Sequence, residues 1–213
     1  MRLKATTKLT KIFLALALAL SMLPLQAQAA QTTESGTEST QGTSFPVYTL
    51  KKNVDDDQAM VLLIMGDGYT ASEQEEFLGY AKQRAEALLR IEPFRKYANN
   101  INIYAMCVES AQSGVTTKYT DVESYLGVDA NGWNFKWSTP VGGGDDSYSA
   151  RAERLKKEVE DKVLTTSSDY KPKVSAAHII VNNGNTEESS IIRPRNINGF
   201  TFSEESTTTG GTS

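Results

Sequence analysis

The sequence predicts an α/β domain built on a mainly parallel sheet of at least three strands with crossover helices. Three features carry that expectation. Apolar runs of strand length occur at 60–65, 101–108 and 174–181, and unbroken runs of this kind are typical of strands covered on both faces. Segments with apolar residues at helical spacing lie between the first and second runs and between the second and third. The resulting alternation of strand and helix favours right-handed crossovers and parallel pairing.

The chain opens with a different composition. Arg2, Lys4, Lys8 and Lys11 accompany an apolar run over 12–23, Pro24 breaks it, and Ala27-Gln28-Ala29 supplies a small-x-small pattern. This predicts a secretory signal peptide over 1–29, cleaved near Ala29, and hence a secreted protein. The alternative is an uncleaved anchor, but the run falls short of the ~20 residues that span a bilayer. No stable membrane span is expected after cleavage. Residues 30–45 are rich in Thr, Ser, Glu, Gln and Gly, and 203–213 have the same character. Neither segment can bury apolar area, so both are expected to be flexible, leaving 46–202 as the α/β domain.

The first apolar run ends in Gly66-Asp67-Gly68. Ser72 and Glu75 have the spacing of a capping box, which places a helix start there. Phe77, Ala81, Ala85, Leu88 and Leu89 supply its apolar stripe, and Pro93 stops it. The segment Gly66-Asp67-Gly68-Tyr69-Thr70 therefore lies where open α/β sheets bind ligands, outside the carboxyl end of a strand and ahead of a helix. Asp67, Gly68 and Tyr69 are the candidate substrate or loop residues. Glycine lets a partner approach the backbone closely. Asp67 either orients or coordinates a partner, or satisfies the N–H groups of a tight turn. Residues 113–144 read as loop. A second helix is predicted over 149–164, with Ala152, Leu155, Val159 and Val163 on one face. Beyond Asn185 the chain turns polar, and no strong element is expected.

Residue counts exclude much of the common chemistry. Lysine plus arginine nearly balance aspartate plus glutamate, for a net charge of −4, so there is no electrostatic footprint for nucleic acid. The sequence has one cysteine, Cys107, and one histidine, His178. An internal disulfide, a cysteine-based zinc site and a two-histidine metal motif are all impossible within it. His178, on an apolar strand, reads as a packed, hydrogen-bonded residue, and Cys107 as a small buried hydrophobe. A Cys–His pair on neighbouring strands is the alternative. Asp55-Asp56-Asp57 reads as a solvated turn, or as a calcium site. Asp129-Ala130-Asn131-Gly132 lacks the alternating ligands of a calcium loop. Gly142-Gly143-Gly144 is not followed by Lys-Ser/Thr and so is no P-loop. Trp133, Phe135 and Trp137 alternate with polar residues, as the inner face of a hairpin or as an exposed strip for peptide or glycan. The phrase from Leu62 to Gly68 is similar to the first metal-binding strand of alkaline phosphatases, with Asp146-Ser147 as nucleophile segment, but that chemistry needs several histidines.

A longer set of motifs points elsewhere. Gly66 to Ala71, Glu73, Phe77, Glu92-Pro93-Phe94, Tyr97, Ile101-Asn102-Ile103-Tyr104, Val108-Glu109-Ser110 and Ser113-Gly114-Val115 stand in the order seen in the secreted M64 (IgA-specific) metallopeptidases. His178 to Asn182 resembles that family's later strand. The resemblance covers roughly 61–183, with a divergent stretch between about 116 and 151. It implies a zincin-like metallopeptidase domain, zinc as cofactor and an extracellular protein, such as an immunoglobulin, as substrate. It also implies a His-Glu-x-x-His helix beyond the matching strand, where two histidines one turn apart hold the zinc and the glutamate acts as general base. These 213 residues contain no such motif, so no metal ligand carries over to any position, and the domain is expected to be incomplete. A shortened product, inactive alone, is the expectation. The alternatives are a non-catalytic secreted binding module on the same scaffold, and a fragment too incomplete to fold stably because its sheet has an open edge.

Overall fold

The three apolar runs form adjacent parallel strands in the computed structural model, which describes residues 37–38, 42–130, 135–138, 147–182, 195–197 and 200–205. In chain order the strands are β1 (Thr37–Glu38), β2 (Val47–Lys51), β3 (Met60–Asp67), β4 (Ile101–Met106), β5 (Val128–Asp129), β6 (Lys136–Trp137), β7 (Val174–Asn182), β8 (Arg195–Ile197) and β9 (Phe200–Glu205). The helices are α1 (Gln74–Arg90) and α2 (Tyr148–Lys162). Among the described residues, seven strands make one sheet in the order β1-β2-β4-β3-β7-β9-β8, and β5 and β6 make a separate two-stranded ribbon. The centre of the sheet, β4-β3-β7-β9, is parallel throughout. The flanking pairs β1–β2, β2–β4 and β8–β9 are antiparallel.

Side-chain alternation along β3 explains why its run is apolar without a break. Val61, Leu63 and Met65 join Ala152, Leu155 and Val159 of α2 in one cluster. Leu62 and Ile64, pointing the other way, join Phe77, Ala81 and Ala85 of α1. Successive strand residues face opposite sides, and a helix covers each side. The apolar stripes predicted for both helices are the faces observed, with Leu88 and Leu89 partly buried at the far end of α1. No helix among the described residues is long and apolar enough to cross a membrane.

Several expectations need correction. The cap of the first helical segment is Thr70 with Glu73, not Ser72 with Glu75. Glu73 Oε2 accepts from the Thr70 N–H at 2.8 Å, and a 3-10 turn over Ala71–Glu73 leads into α1. Asp55-Asp56-Asp57 is not a solvated run, because Asp56 is buried. It accepts hydrogen bonds from Lys52, Asn102, Tyr104 and the Thr165 N–H. Burial works to raise its pKa, but these donors outweigh it and hold the carboxyl below its ordinary value. The segment beyond Asn185 does contain strands. β9 pairs with β7 from Ala177↔Phe200 to Asn182↔Glu205, and so runs into the segment expected to be a flexible tail. The antiparallel β2 also went unforeseen. Within the expected linker, β1 pairs with β2, and the Ser44 N–H and Oγ donate to Glu158 of α2 at 2.7 and 2.8 Å.

Phe135 is buried and Trp137 packs against the same cluster, which favours the inner-face reading of the aromatic stretch. Trp133 lies outside the described residues. So do the leader over 1–29, most of the linker, Asn131-Gly132, Gly142-Gly143-Gly144, Asp146, Asn183-Gly184-Asn185 and the chain after Glu205.

Candidate functional site

The carboxyl ends of β3 and β7 meet the turns that follow β3 and β4. Asp67 is the last residue of β3 and Asn182 the last of β7. Both are fully buried. Asp67 Oδ1 accepts from the Leu126 N–H at 2.9 Å, while Oδ2 accepts from Ser124 Oγ at 2.8 Å and the Val128 N–H at 2.9 Å. The carboxylate thus ties the 124–128 segment to the sheet. Burial pushes its pKa up to about 6, against the hydrogen bonds from Val128, Leu126 and Ser124. These donors lie in the segment after β4 and not in the tight turn between β3 and α1 whose N–H groups the sequence suggested as partners of Asp67.

Gly68 has φ near +80°. A Cβ there would stand 2.5 Å from the Gly114 carbonyl oxygen, so both its conformation and the close approach of the next loop require glycine. Its N–H donates to Ser110 Oγ at 3.1 Å, and its carbonyl accepts from the Gly114 N–H at 2.8 Å and from Asn182 Nδ2 at 2.9 Å. Tyr69 is fully buried against Phe77, with ring centroids 5.4 Å apart. Asp67, Gly68 and Tyr69 are therefore brought together as the floor beneath the loop that follows β4.

Glu73, Ser113 and Asn182 extend this floor, and the sequence did not single them out as a group. Ser113 Oγ donates to Glu73 Oε1 at 2.6 Å, and Asn182 Nδ2 lies 3.3 Å from Ser113 Oγ. Burial acts to raise the Glu73 pKa, but hydrogen bonds from Ser113 and Thr70 outweigh it, and the carboxyl stays below its ordinary value. The one signal available in sequence was position: Asn182 directly ends an apolar run, and Glu73 and Ser113 lie in the turns that follow the other two.

The single histidine sits elsewhere. His178, midway along β7, has Nδ1 2.7 Å from Thr201 Oγ1 and Nε2 2.8 Å from Ser203 Oγ, both on β9. Burial, with a smaller effect from the Arg84 charge, lowers its pKa to about 4 and keeps the ring neutral. Cys107 is buried. The zinc implied by the resemblance does not fit these residues. Both imidazole nitrogens are engaged by hydroxyls, both Asp67 oxygens accept from the loop, and no three His, Cys, Asp or Glu side chains among the described residues are grouped to hold a metal. No residue here is assigned as a zinc ligand.

No curated protein matches the chain. The family model for IgA Peptidase M64 matches residues 48–184, from β2 through β7. That match covers well over half of the 213 residues, including the Asp67–Tyr69 floor and every motif that carried the resemblance. The chain belongs to the M64 family of IgA peptidases.

Proposed function

We propose that this chain provides the scaffold of a secreted, zincin-like M64 metallopeptidase that hydrolyses extracellular protein, immunoglobulin among the candidates, and that its zinc ligands come from outside these 213 residues. The observation that carries the reading is the family match over 48–184, which takes in the whole floor at the carboxyl ends of β3 and β7. The leader composition of 1–29 supports export. In this reading Asp67, Gly68 and Tyr69 shape the cleft floor and do no bond-breaking chemistry. Asp67 holds the 124–128 segment, Gly68 admits the Ser113–Gly114 turn, and Tyr69 fills the space under it.

A second reading, a non-catalytic secreted binding module, is favoured by a specific observation. The Asp67 and Glu73 carboxylates at the floor are already engaged by protein donors, so neither is poised as a general base. One experiment separates the two readings. Zinc content and chelator-sensitive cleavage of immunoglobulin A are measured on the purified 213-residue chain and on the gene product recovered from its native secretions. The expected result is neither property in the former and both in the latter. Absence of both from the native product would remove the peptidase reading and leave the binding module. Stoichiometric zinc in the 213-residue chain would overturn the assignment of the ligands to other residues.

A further inference from the structure

A cleft of about 350 Å³ lies between β2 and the first turns of α1, on the sheet face opposite the 124–128 segment. Its walls are largely apolar, from Pro46 and Tyr48 on one side, Leu78 on the other and Cys107 beneath. Two carboxylates, Glu75 and Glu109, stand on its lining and are exposed. Neither enters an ion pair among the described residues, and no lining side chain is basic. Gln74 lines the same cleft. Its two Nε2 hydrogens are shared among the Tyr69, Thr70 and Val108 carbonyl oxygens, which lie 3.0–3.2 Å away, and this fixes the side chain at the start of α1.

We propose that this cleft is a docking site for an arginine side chain of a polypeptide partner. The cleft offers apolar wall and negative charge, and arginine complements both. Its aliphatic stem covers apolar surface while its head stays polar, and its guanidinium brings five N–H donors in a fixed fork. The volume is at the lower end of small-ligand pockets and suits one side chain. The proposal concerns binding alone and does not depend on peptidase activity.

The test uses Nα-acetyl-arginine amide and its neutral isostere, Nα-acetyl-citrulline amide, titrated into the 15N-labelled full chain and followed by NMR. The arginine probe is expected to shift the amides of 71–78 and 107–109, with an affinity at least ten times that of the citrulline probe. The double variant Glu75→Gln/Glu109→Gln is expected to abolish that preference. Leu78→Arg, which fills the cleft with a cation of its own, is expected to abolish binding of the probe. Equal binding of the two probes, shifts confined to other residues, or no shifts at tens of millimolar would each overturn the proposal.

Discussion

Asp67 and His178 are buried ionisable groups with opposite responses to pH. The folded Asp67 carboxyl titrates near 6, above its ordinary 3.8. Its contribution to stability is therefore fully present below about pH 4 and lost as pH rises through 6, a change of about 3 kcal/mol for a shift of this size. His178 titrates near 4 when folded, below its ordinary 6.5. Its contribution is present above pH 6.5 and lost as pH falls through 4. The two slopes oppose each other over the same range, so the native chain is expected to show a nearly flat stability profile there. In His178→Gln, stability measured by urea denaturation should fall as pH rises from 4 to 6. In Asp67→Asn it should fall as pH drops from 6.5 to 4. Profiles unchanged from the native chain in both variants would refute the opposition. The sequence marked both residues but could not show their partners. The donors to Asp67 lie 57–61 residues further along, and the partners of His178 lie in a segment whose polarity masked a strand. Asp56 was misread for the same reason, since a carboxylate among other carboxylates gives no local sign that Asn102 and Tyr104 will enclose it.

Strands with long apolar runs were legible because both of their faces are buried, which fixes the composition of nearly every position. β2 and β9 were not. β9 includes Thr201, Ser203, Glu204 and Glu205, and its place is secured by backbone pairing with β7, which leaves little trace in residue type. The helical stripes were legible, but the entry to α1 was displaced because two plausible capping pairs overlap. Thr70–Glu73 prevails over Ser72–Glu75, since Glu73 both caps the turn and accepts from Ser113 across the site. The junction between β3 and α1 depends most on Gly68. Gly68→Ala combines a left-handed backbone with a contact that the Gly114 carbonyl cannot relieve without moving, at a cost of roughly 2–5 kcal/mol. The expected result is a clear drop in the urea midpoint together with loss of amide protection at Gly114. An unchanged midpoint would mean that the Ser113–Gly114 turn is not seated against β3 in solution.

The open edge that made a stable fold doubtful from the sequence is covered where it matters most. β9 pairs along β7 over Ala177 to Asn182, β8 pairs along β9, and β2 closes the far side of β4. α1 packs on one face of the sheet, while α2 and the loop after β4 pack on the other. Because β3 contributes to both clusters, they are expected to unfold together: melting followed by far-ultraviolet and near-ultraviolet circular dichroism should give one coincident transition. Two separated transitions would show that the two faces are independent units. The family assignment was legible because its motifs fall along the central strands β3, β4 and β7 and on the turns that join them to α1 and to the loop after β4.

The bridge from His178 to Thr201 and Ser203 has a practical consequence. With one imidazole in the chain, its Hε1 proton gives a single resonance downfield of the other ring protons in heavy water. Seated between two hydroxyls the ring stays neutral down to about pH 4, whereas released into water it titrates like a free histidine. A proton spectrum thus carries its own gauge of whether the last strand is in place, with no label or added probe.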